Sequence, residues 1–211
     1  MFKNNQKIIL ASKSPRRIEF FKMLGIDVEV FSASIDEEQY RNLEPQKMVQ
    51  VLSLEKAKAS QEKYFKENNL NIENSDIWFI GADTDVVFNG KSLGKPKDKQ
   101  DAFNILKTLS GNTHEVISSF SLINFNRNIQ KSFFTSTLVT FSNLSDEIIN
   151  AYIATCECDD KAGAYALQGI SSAFIESING SYSSVIGLDV NKVVNALLKY
   201  DIINIKEMLT N

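Results

Sequence analysis

IWFIGADTDVVF, at residues 77–88, is the most strand-like segment of the chain. It is rich in Ile, Val, Phe and Trp, which favour a buried β-strand, and the Asn89-Gly90 pair that follows favours a tight turn. We expect the strand to be broken at Gly81, because a glycine at this point suits a strand bend or the close approach of a ligand. The segment therefore predicts a buried strand beside which the other elements can be placed.

Elements on both sides of this strand alternate between strand and helix. Runs rich in apolar and β-branched residues predict strands, whereas helical spacing between capping and stop signals predicts helices. Because Asn126–Asn128 favours a hairpin, we expect an α/β fold with a mixed rather than a purely parallel sheet. The other predicted strands are 7–11, 28–32, 115–125, 130–141 and 173–178, and the predicted helices are 15–24, 45–66, 98–109, 146–155 and closing helices that include 193–198.

The size and composition of the chain are typical of a single globular domain spanning residues 1–211. The chain is long enough to bury a sizeable core, and 43% of its residues are hydrophobic and 23% are charged. No apolar run approaches the roughly 20 residues needed to cross a bilayer, and the apolar stretch near the N-terminus is too short for a signal peptide. We therefore expect a cytoplasmic protein without membrane contact.

Charge, cysteine and histidine content argue against several classes of function. The net charge of −3 and the pI near 5.3 argue against a nucleic-acid binder, although a local basic cluster can still bind a small anion. Cys156 and Cys158 have no third thiol or nearby histidine for a zinc site, and a disulfide between them would be strained, so we expect reduced thiols. His114 is the only histidine and has no partner for an acyl-transfer triad, so we expect it to be structural.

A basic segment, SKSPRR at Ser12–Arg17, is the first candidate site. Ser14 suits the N-cap of the following helix and Pro15 its first position, so Arg16 and Arg17 fall in the first helical turn. Cations are disfavoured there by about 0.3–1 kcal/mol each, because the helix dipole is positive at that end. Their presence indicates a bound anion such as phosphate at this joint, the alternative being two arginines that project into water.

An acidic pair, Asp83 and Asp85, interrupts the otherwise apolar strand. At period-two spacing the two carboxylates share one face of the strand. Burying a carboxylate is costly unless it meets a metal ion, a cation or hydrogen-bond donors. The pair therefore predicts a metal or cation site, with a strand end where both acids reach solvent as the alternative.

Glycine-bearing loops supply further candidates. GKP at residues 94–96 lacks the spacing of a P-loop, but Lys95 in such a fixed turn could bind phosphate. DKAGAYALQG at 160–169 and GSYSSVIGL at 180–188 together hold four of the nine glycines. Gln168 could read a base edge, because its amide both donates and accepts hydrogen bonds. An ordinary structural turn is the alternative for each loop.

Taken in order, these segments resemble the Maf family, and the resemblance runs from residue 8 to residue 188. It implies an α/β fold with a mixed twisted sheet flanked by helices, arranged as two lobes around a central cleft and similar to that of inosine triphosphate pyrophosphatases. The matching motifs are ILASKSPRRIEFFKMLGI, SIDEE at 34–38, EKAKA at 55–59, GADT, GKP, LSGNTHEV, DKAGAYALQG and GSYSSVIGL.

The resemblance also implies an activity. Members of the family are cytoplasmic enzymes, usually homodimers, that hydrolyse nucleoside triphosphates to the monophosphate and pyrophosphate with a divalent metal, Mg²⁺ or Mn²⁺. By the matching motifs, Asp83 corresponds to the general base. The residues that match positions implicated in substrate choice are Arg16, Thr84 and Gln168. Those that match phosphate-contacting or otherwise essential positions are Ser12, Arg17, Lys56, Lys95 and Lys161. Glu37 and Asp83 match candidate metal-binding carboxylates.

Finer features resemble one branch of the family. SPRR in place of SPWR, and Gln168 in place of Glu, resemble the branch that hydrolyses dTTP and UTP. Modified pyrimidine nucleotides are further candidate substrates. The alternatives are a 7-methyl-GTP pyrophosphatase and a nucleotide-binding regulator of cell division with little turnover. Two residues depart from the pattern. Asp85 stands where the family usually has an uncharged residue and could be a metal ligand or a solvated acid, and Ala166 replaces a common glycine near the expected base pocket.

Overall fold

A seven-stranded mixed sheet forms the centre of the structure, a computed structural model that describes residues 1–206. Helices flank this sheet, which confirms the expected α/β class. In chain order the elements are β1 (Phe2–Asn4), β2 (Lys7–Leu10), α1 (Pro15–Leu24), β3 (Glu29–Val30), α2 (Pro45–Glu67), β4 (Ile77–Phe88), β5 (Lys91–Ser92), α3 (Lys99–Leu109), β6 (Thr113–Asn124), β7 (Ile129–Phe141), α4 (Asp146–Ile153), β8 (Ile175–Asn179), α5 (Tyr182–Ile186), α6 (Val190–Lys199) and β9 (Ile203–Ile205).

The strand order places a crevice at the end of β2. The order is β3-β2-β4-β6-β7-β8, with β2 parallel to both β3 and β4 and the remaining pairs antiparallel. The chain leaves β2 through α1 to reach β3 on one side, and returns through α2 to reach β4 on the other. Ligands in open α/β sheets bind outside the carboxyl ends of strands where the order reverses in this way. The strand order therefore predicts a ligand site at the loop after β2 and the adjoining part of β4.

Strand β4 continues beyond the end of β2. The last paired residues are Leu10 and Ile80, and on the same edge β5 pairs only with Val87 and Phe88. The segment of β4 between these two neighbours is therefore free to meet side chains and loops at that edge. Asp83 and Asp85 lie in this segment.

Both faces of β4 change from apolar to polar and back along its length. On one face, Ala82 belongs to a cluster with α1 and α6, whereas Val86 belongs to a second cluster with α3 and α4. On the other face, Phe79 packs on α2 in a third cluster and Val87 in a fourth. Residues Asp83–Asp85 separate these clusters on both faces, and we call them the polar belt. The predicted division into two lobes around a cleft stays a prediction, but the polar belt lies where such a cleft would be.

The predicted break at Gly81 is wrong, because β4 is a single continuous strand. The glycine instead lets α2 approach the sheet. A Cβ atom on Gly81 would lie 2.0 Å from the Ser53 carbonyl oxygen and 2.8 Å from the Ala57 amide nitrogen. The expectation was a strand bend or the close approach of a ligand, whereas the glycine is in close contact with the backbone of a helix.

Several other boundaries differ from the sequence prediction for local reasons. The strand predicted at 28–32 forms only the short, exposed edge strand β3. The strand predicted from residue 173 begins later because a 3₁₀ helix occupies Ile170–Phe174. On α2, Met48 and Phe65 are buried, whereas Ala59 is partly exposed. The antiparallel pair of β1 and β9 was not predicted, since three-residue strands carry no readable period.

Across residues 1–206, no helix combines the length and the apolar content that a bilayer crossing requires. Both cysteines are free thiols, as expected, with Cys156 exposed and Cys158 buried.

Candidate active site

The two acids of the polar belt are buried rather than solvated. Relative exposure is 9% for Asp83 and 4% for Asp85, which excludes the strand-end alternative. Burial raises the pKa of Asp83, while the charge of Lys56 and its hydrogen bond oppose the shift. Burial raises the pKa of Asp85 to about 6, a shift that the Ser92 hydroxyl opposes and the charge of Asp83 increases. The belt is therefore a buried acidic site that needs compensating partners.

Lys56 provides the partner for Asp83. Its ammonium group lies 2.6 Å from Asp83 Oδ1 and 2.9 Å from Glu37 Oε1, so one cation joins two carboxylates. Lys56 is positioned by α2, which packs tightly on β4 at Gly81. Residues from three separate predicted motifs, SIDEE, EKAKA and GADT, therefore meet at one point.

Arg17 joins three segments of the chain. Its Nε donates to the Gly187 carbonyl at 2.8 Å, and its Nη1 donates to Ser12 Oγ at 3.2 Å and to the Ala82 carbonyl at 3.0 Å. Its Nη2 donates to Thr84 Oγ1 at 3.2 Å. Because a guanidinium has five N–H groups, these four bonds leave one for a phosphate. Arg17 therefore does not project into water, which excludes that alternative for this residue.

Arg17 also extends the hydrogen bonding of β2 along β4. The Ala11 amide donates to the Ile80 carbonyl at 2.8 Å, and the Arg17 guanidinium donates to the next carbonyl on that edge, at Ala82. The side chain thus occupies the place that one more residue of β2 would take. Ser14 is the N-cap residue of α1 but makes no side-chain capping bond, and its own amide donates to Ser12 Oγ at 3.2 Å.

Thr84 lies on the opposite face of β4 from Asp83. Its hydroxyl is 3.0 Å from Ser118 Oγ, donates to the Gly187 carbonyl at 3.2 Å and accepts from Arg17. The predicted specificity residue is therefore part of a hydrogen-bonded group within the protein. Its role in substrate choice stays a prediction.

The glycine-bearing loops meet beside the polar belt. The Gly163 amide donates to the Gly94 carbonyl at 2.8 Å, which joins DKAGAYALQG to the GKP turn. Gly163 has φ of 69°, and an added Cβ would lie 2.8 Å from a Val86 methyl group, so only glycine fits against β4 here. Lys95 next to this contact is exposed and makes no side-chain hydrogen bond or ion pair to residues 1–206. Its backbone is therefore held while its ammonium group is available.

The remaining predicted residues lie on the same loops or near them. Lys161 forms an ion pair with Asp160 at 2.6 Å, and the charge of Arg16 contributes to lowering the pKa of Asp160. Gln168 is exposed, and no hydrogen bond joins its side chain to the described part of the chain. Direct contacts or adjacency thus link one group, which consists of Ser12, Arg17, Thr84, Asp83, Lys56 and Glu37. Within residues 1–206, no side-chain hydrogen bond or ion pair joins this group to Arg16, Lys95, Lys161 or Gln168.

The sequence alone did not identify the residues that hold the DKAGAYALQG loop, at residues 160–169, in place. His114 is 2% exposed, and its Nε2 lies 2.8 Å from the Tyr165 hydroxyl. Burial lowers the pKa of His114 to about 4, so the ring is neutral near pH 7. The expected structural role fits this position. Tyr165 and Gly187 had no distinguishing signal beyond their membership of the two glycine-bearing motifs.

The acidic residues fit a divalent metal that is bound together with phosphates. Within the described range 1–206, no group of three or more His, Cys, Asp and Glu side chains is placed to hold a metal ion by itself. Mg²⁺ often uses only one or two carboxylates, with water and substrate phosphates as its other ligands. Asp83 can supply one, and Asp85 Oδ2 is a buried oxygen with no hydrogen-bond partner among these residues. Glu37 reaches this group through Lys56.

Comparisons with known proteins agree with the sequence motifs. Residues 7–200 match the family model described as Maf-like protein. A protein of Clostridium novyi named dTTP/UTP pyrophosphatase is 44% identical over 188 residues, which cover 89% of this chain and 94% of that protein. Proteins of the same name from Bacillus velezensis and Desulfotalea psychrophila are 40% and 38% identical, covering 93% and 97% of this chain and 98% and 100% of their own length.

Proposed function

The chain belongs to the Maf family, and we propose that it is a nucleoside triphosphate pyrophosphatase that hydrolyses dTTP and UTP to the monophosphate and pyrophosphate. Three relatives that match nearly the whole chain carry the name dTTP/UTP pyrophosphatase. The observation that carries the proposal is the contact between Asp83 and Lys56, which puts a buried carboxylate and a cation together where the strand order of the sheet reverses. A protein that only binds a polyphosphate needs the cation and gains little from the carboxylate.

Asp83 has the properties of a general base. Its carboxylate is buried, and Lys56 opposes the effect of burial on its pKa, which favours the form that accepts a proton. In the proposed reaction water attacks the α-phosphorus, and Asp83 takes the proton of that water. A divalent metal such as Mg²⁺ or Mn²⁺, held by Asp83 and Glu37, would neutralise phosphate charge and polarise the phosphoryl oxygens when bound.

The basic residues around the belt suit a triphosphate. The substrate carries about four negative charges, which need cations placed where charge accumulates during phosphoryl transfer. Lys95 and Lys161 lie on the two joined loops, and Lys56 lies at the carboxylates. Arg17 and Ser12 would hold the loop after β2 in shape, with one guanidinium N–H left for phosphate. The chain can thereby bind an anion despite its net charge of −3.

Base recognition is assigned to Arg16, Gln168 and Thr84. The exposed amide of Gln168 can offer both a donor and an acceptor to a pyrimidine edge. Modified pyrimidine nucleotides belong to the same substrate class. The proposal further includes a homodimer and a cytoplasmic location, which accord with the family resemblance.

Pyrophosphate release from a panel of triphosphates tests the proposal. With Mg²⁺ present, we expect release from dTTP and UTP and little from 7-methyl-GTP. The Asp83→Asn variant is expected to lose about 10²–10⁴-fold in rate, the usual contribution of a positioned base. Tight binding of dTTP without release would favour a nucleotide-binding regulator instead, and a preference for 7-methyl-GTP would transfer the protein to the other substrate class. Near-normal rates for Asp83→Asn would show that the base is wrongly assigned.

A further inference from the structure

Asp85 is a buried carboxylate that the protein leaves half unsatisfied. Only 4% of the residue is exposed, and its Oδ1 accepts a hydrogen bond from the adjacent Val86 amide at 2.9 Å. Its Oδ2 is also buried and has no hydrogen-bond partner among the described residues. Such an oxygen is costly for the folded protein, because it loses its hydration and gains nothing in return.

The neighbouring side chains do not supply the missing partner. The Ser92 hydroxyl favours the charged form of Asp85, but it makes no hydrogen bond to Oδ2. Lys56 already bridges two other carboxylates at 2.6 and 2.9 Å. Arg41 forms an ion pair with Glu38 at 2.6 Å and attracts Asp85 only over a longer distance. An apolar residue would pack on this face of β4 without the cost, as Val87 does at the next position of the same face. Among the described residues, no cation is therefore paired with this carboxylate, and Oδ2 remains open to a ligand from outside the chain.

The position of Asp85 indicates which ligand. It lies two residues from Asp83 on the same face of β4, a separation of about 6.7 Å along the strand. Their carboxylates can converge on one ion, and the second carboxylate adds a hard oxygen donor of the kind that Mg²⁺ and Mn²⁺ prefer.

We propose that Asp85 is a further protein ligand of the divalent metal, in addition to Asp83 and Glu37. This inference rests on the metal dependence that is part of the proposed function. It assigns to this chain a metal site with two strand carboxylates, at a position where the resemblance to the family implies an uncharged residue. The consequence is that the protein binds the metal measurably before the nucleotide arrives.

Binding of Mn²⁺ alone, followed by electron paramagnetic resonance without nucleotide, tests this assignment. Asp85→Asn keeps the shape of the side chain and removes its charge, and we expect it to raise the dissociation constant for Mn²⁺ about tenfold or more. Glu62→Gln removes one charge from the exposed surface of α2 and serves as the matched control, with binding unchanged. Equal affinity of wild type and Asp85→Asn would overturn the proposal.

Thermal unfolding separates a metal ligand from a structural acid. Without metal, Asp85→Val should melt about 2–8 °C above the wild type, because the uncompensated carboxylate is gone. Addition of Mn²⁺ should raise the melting temperature of the wild type more than that of the variant. A variant that is less stable without metal and responds to Mn²⁺ like the wild type would assign Asp85 a purely structural role and overturn the proposal.

These readouts are independent of turnover. If the wild type binds Mn²⁺ through Asp85 and releases no pyrophosphate from any nucleotide, the metal site stands and the proposed function fails. If pyrophosphate is released and Mn²⁺ binding ignores Asp85, the function stands and the metal assignment fails.

Discussion

Arg17 holds the geometry of the site through the hydrogen bonds of its guanidinium group. It contacts Ser12 on the loop after β2, Ala82 and Thr84 on β4, and Gly187 at a sequence distance of 170 residues. Motif order indicated that Arg17 belongs to the site, but its hydrogen-bond partners were beyond prediction. They depend on how β2, β4 and α5 are brought together, and no local pattern encodes a contact across such a distance.

Replacing Arg17 with lysine tests whether geometry or charge matters there. Lysine keeps the positive charge but has a single terminal nitrogen that cannot donate in four fixed directions. We expect Arg17→Lys to lower the free energy of unfolding by about 2–4 kcal/mol and kcat/KM by at least about tenfold. Urea denaturation and steady-state kinetics measure the two effects.

Arg16→Lys is the matched control, because Arg16 makes no side-chain hydrogen bond or ion pair within residues 1–206. It should leave the stability within about 0.5 kcal/mol of the wild type. Equal stability losses for the two variants would mean that the Arg17 contacts are energetically unimportant.

His114 makes stability depend on pH in a predictable direction. Its pKa is about 4 in the folded protein, against an ordinary value of 6.5, so between these values the unfolded chain binds more protons. Stability from the neutral ring is therefore present above pH 6.5 and is lost as the pH falls toward 4, by up to about 3 kcal/mol. Asp85, whose pKa is raised to about 6, has the opposite effect on the pH dependence of stability. This effect is present in both proteins that are compared below.

The comparison is between the wild type and His114→Phe, each unfolded in urea at several pH values from 7 to 4.5. Phenylalanine loses the bond to Tyr165 and should be less stable at pH 7 by about 1–3 kcal/mol. The difference between the two proteins should shrink as the pH falls, since only the wild type loses the histidine contribution. A constant difference across the range would contradict the assignment.

At the scale of elements, the packing of α2 on β4 positions the lysine of the site. Both elements could be predicted from the sequence, because apolar periodicity is a local property. The prediction at Gly81 was wrong, since a bend and a close helix contact leave the same mark in a strand pattern. The β1–β9 pair could not be predicted, because β9 has only three residues, although its Ile203 is fully buried.

Gly81→Ala should separate α2 from the sheet. The added Cβ would lie 2.0 Å from a backbone oxygen of Ser53, which has no side-chain freedom with which to move aside. We expect a loss of about 3 kcal/mol or more in stability and a clear drop in kcat, because Lys56 shifts with the helix. Unfolding curves and pyrophosphate release measure both.

Gly90→Ala provides the matched glycine control. It has φ of 74° and nothing within 4 Å of an added Cβ, so it should cost about 1–2 kcal/mol from backbone strain and leave kcat unchanged. If Gly81→Ala behaves like this control, the close approach of α2 is not what holds Lys56.

For the whole molecule, the fold reconciles an acidic chain with an anionic substrate. The net charge is −3, yet folding brings basic residues from the loop after β2, from α2 and from the two glycine-bearing loops to the same end of the sheet. The fold class could be predicted from the sequence, and motif order supplied the candidate residues of the site, which stay a prediction. The burial of both acids and the sharing of one lysine by two carboxylates could not, because each depends on the complete packing of the sheet and its helices.

One strand couples the two halves of the molecule, and this predicts how it unfolds. β4 runs through the cluster with α1 and α6 and through the cluster with α3 and α4, with the polar belt between them. Loss of either cluster removes one wall of the belt, so the chain should unfold in a single transition despite its expected two lobes.

A non-hydrolysable dTTP analogue at about 100 times its dissociation constant should stabilise the protein by about 2.7 kcal/mol and raise the temperature of that one transition by roughly 5–10 °C. Calorimetry with and without the analogue measures both features. If two transitions appeared and the analogue moved only one of them, the clusters would fold independently, and the nucleotide would be held by one lobe rather than by the belt between them.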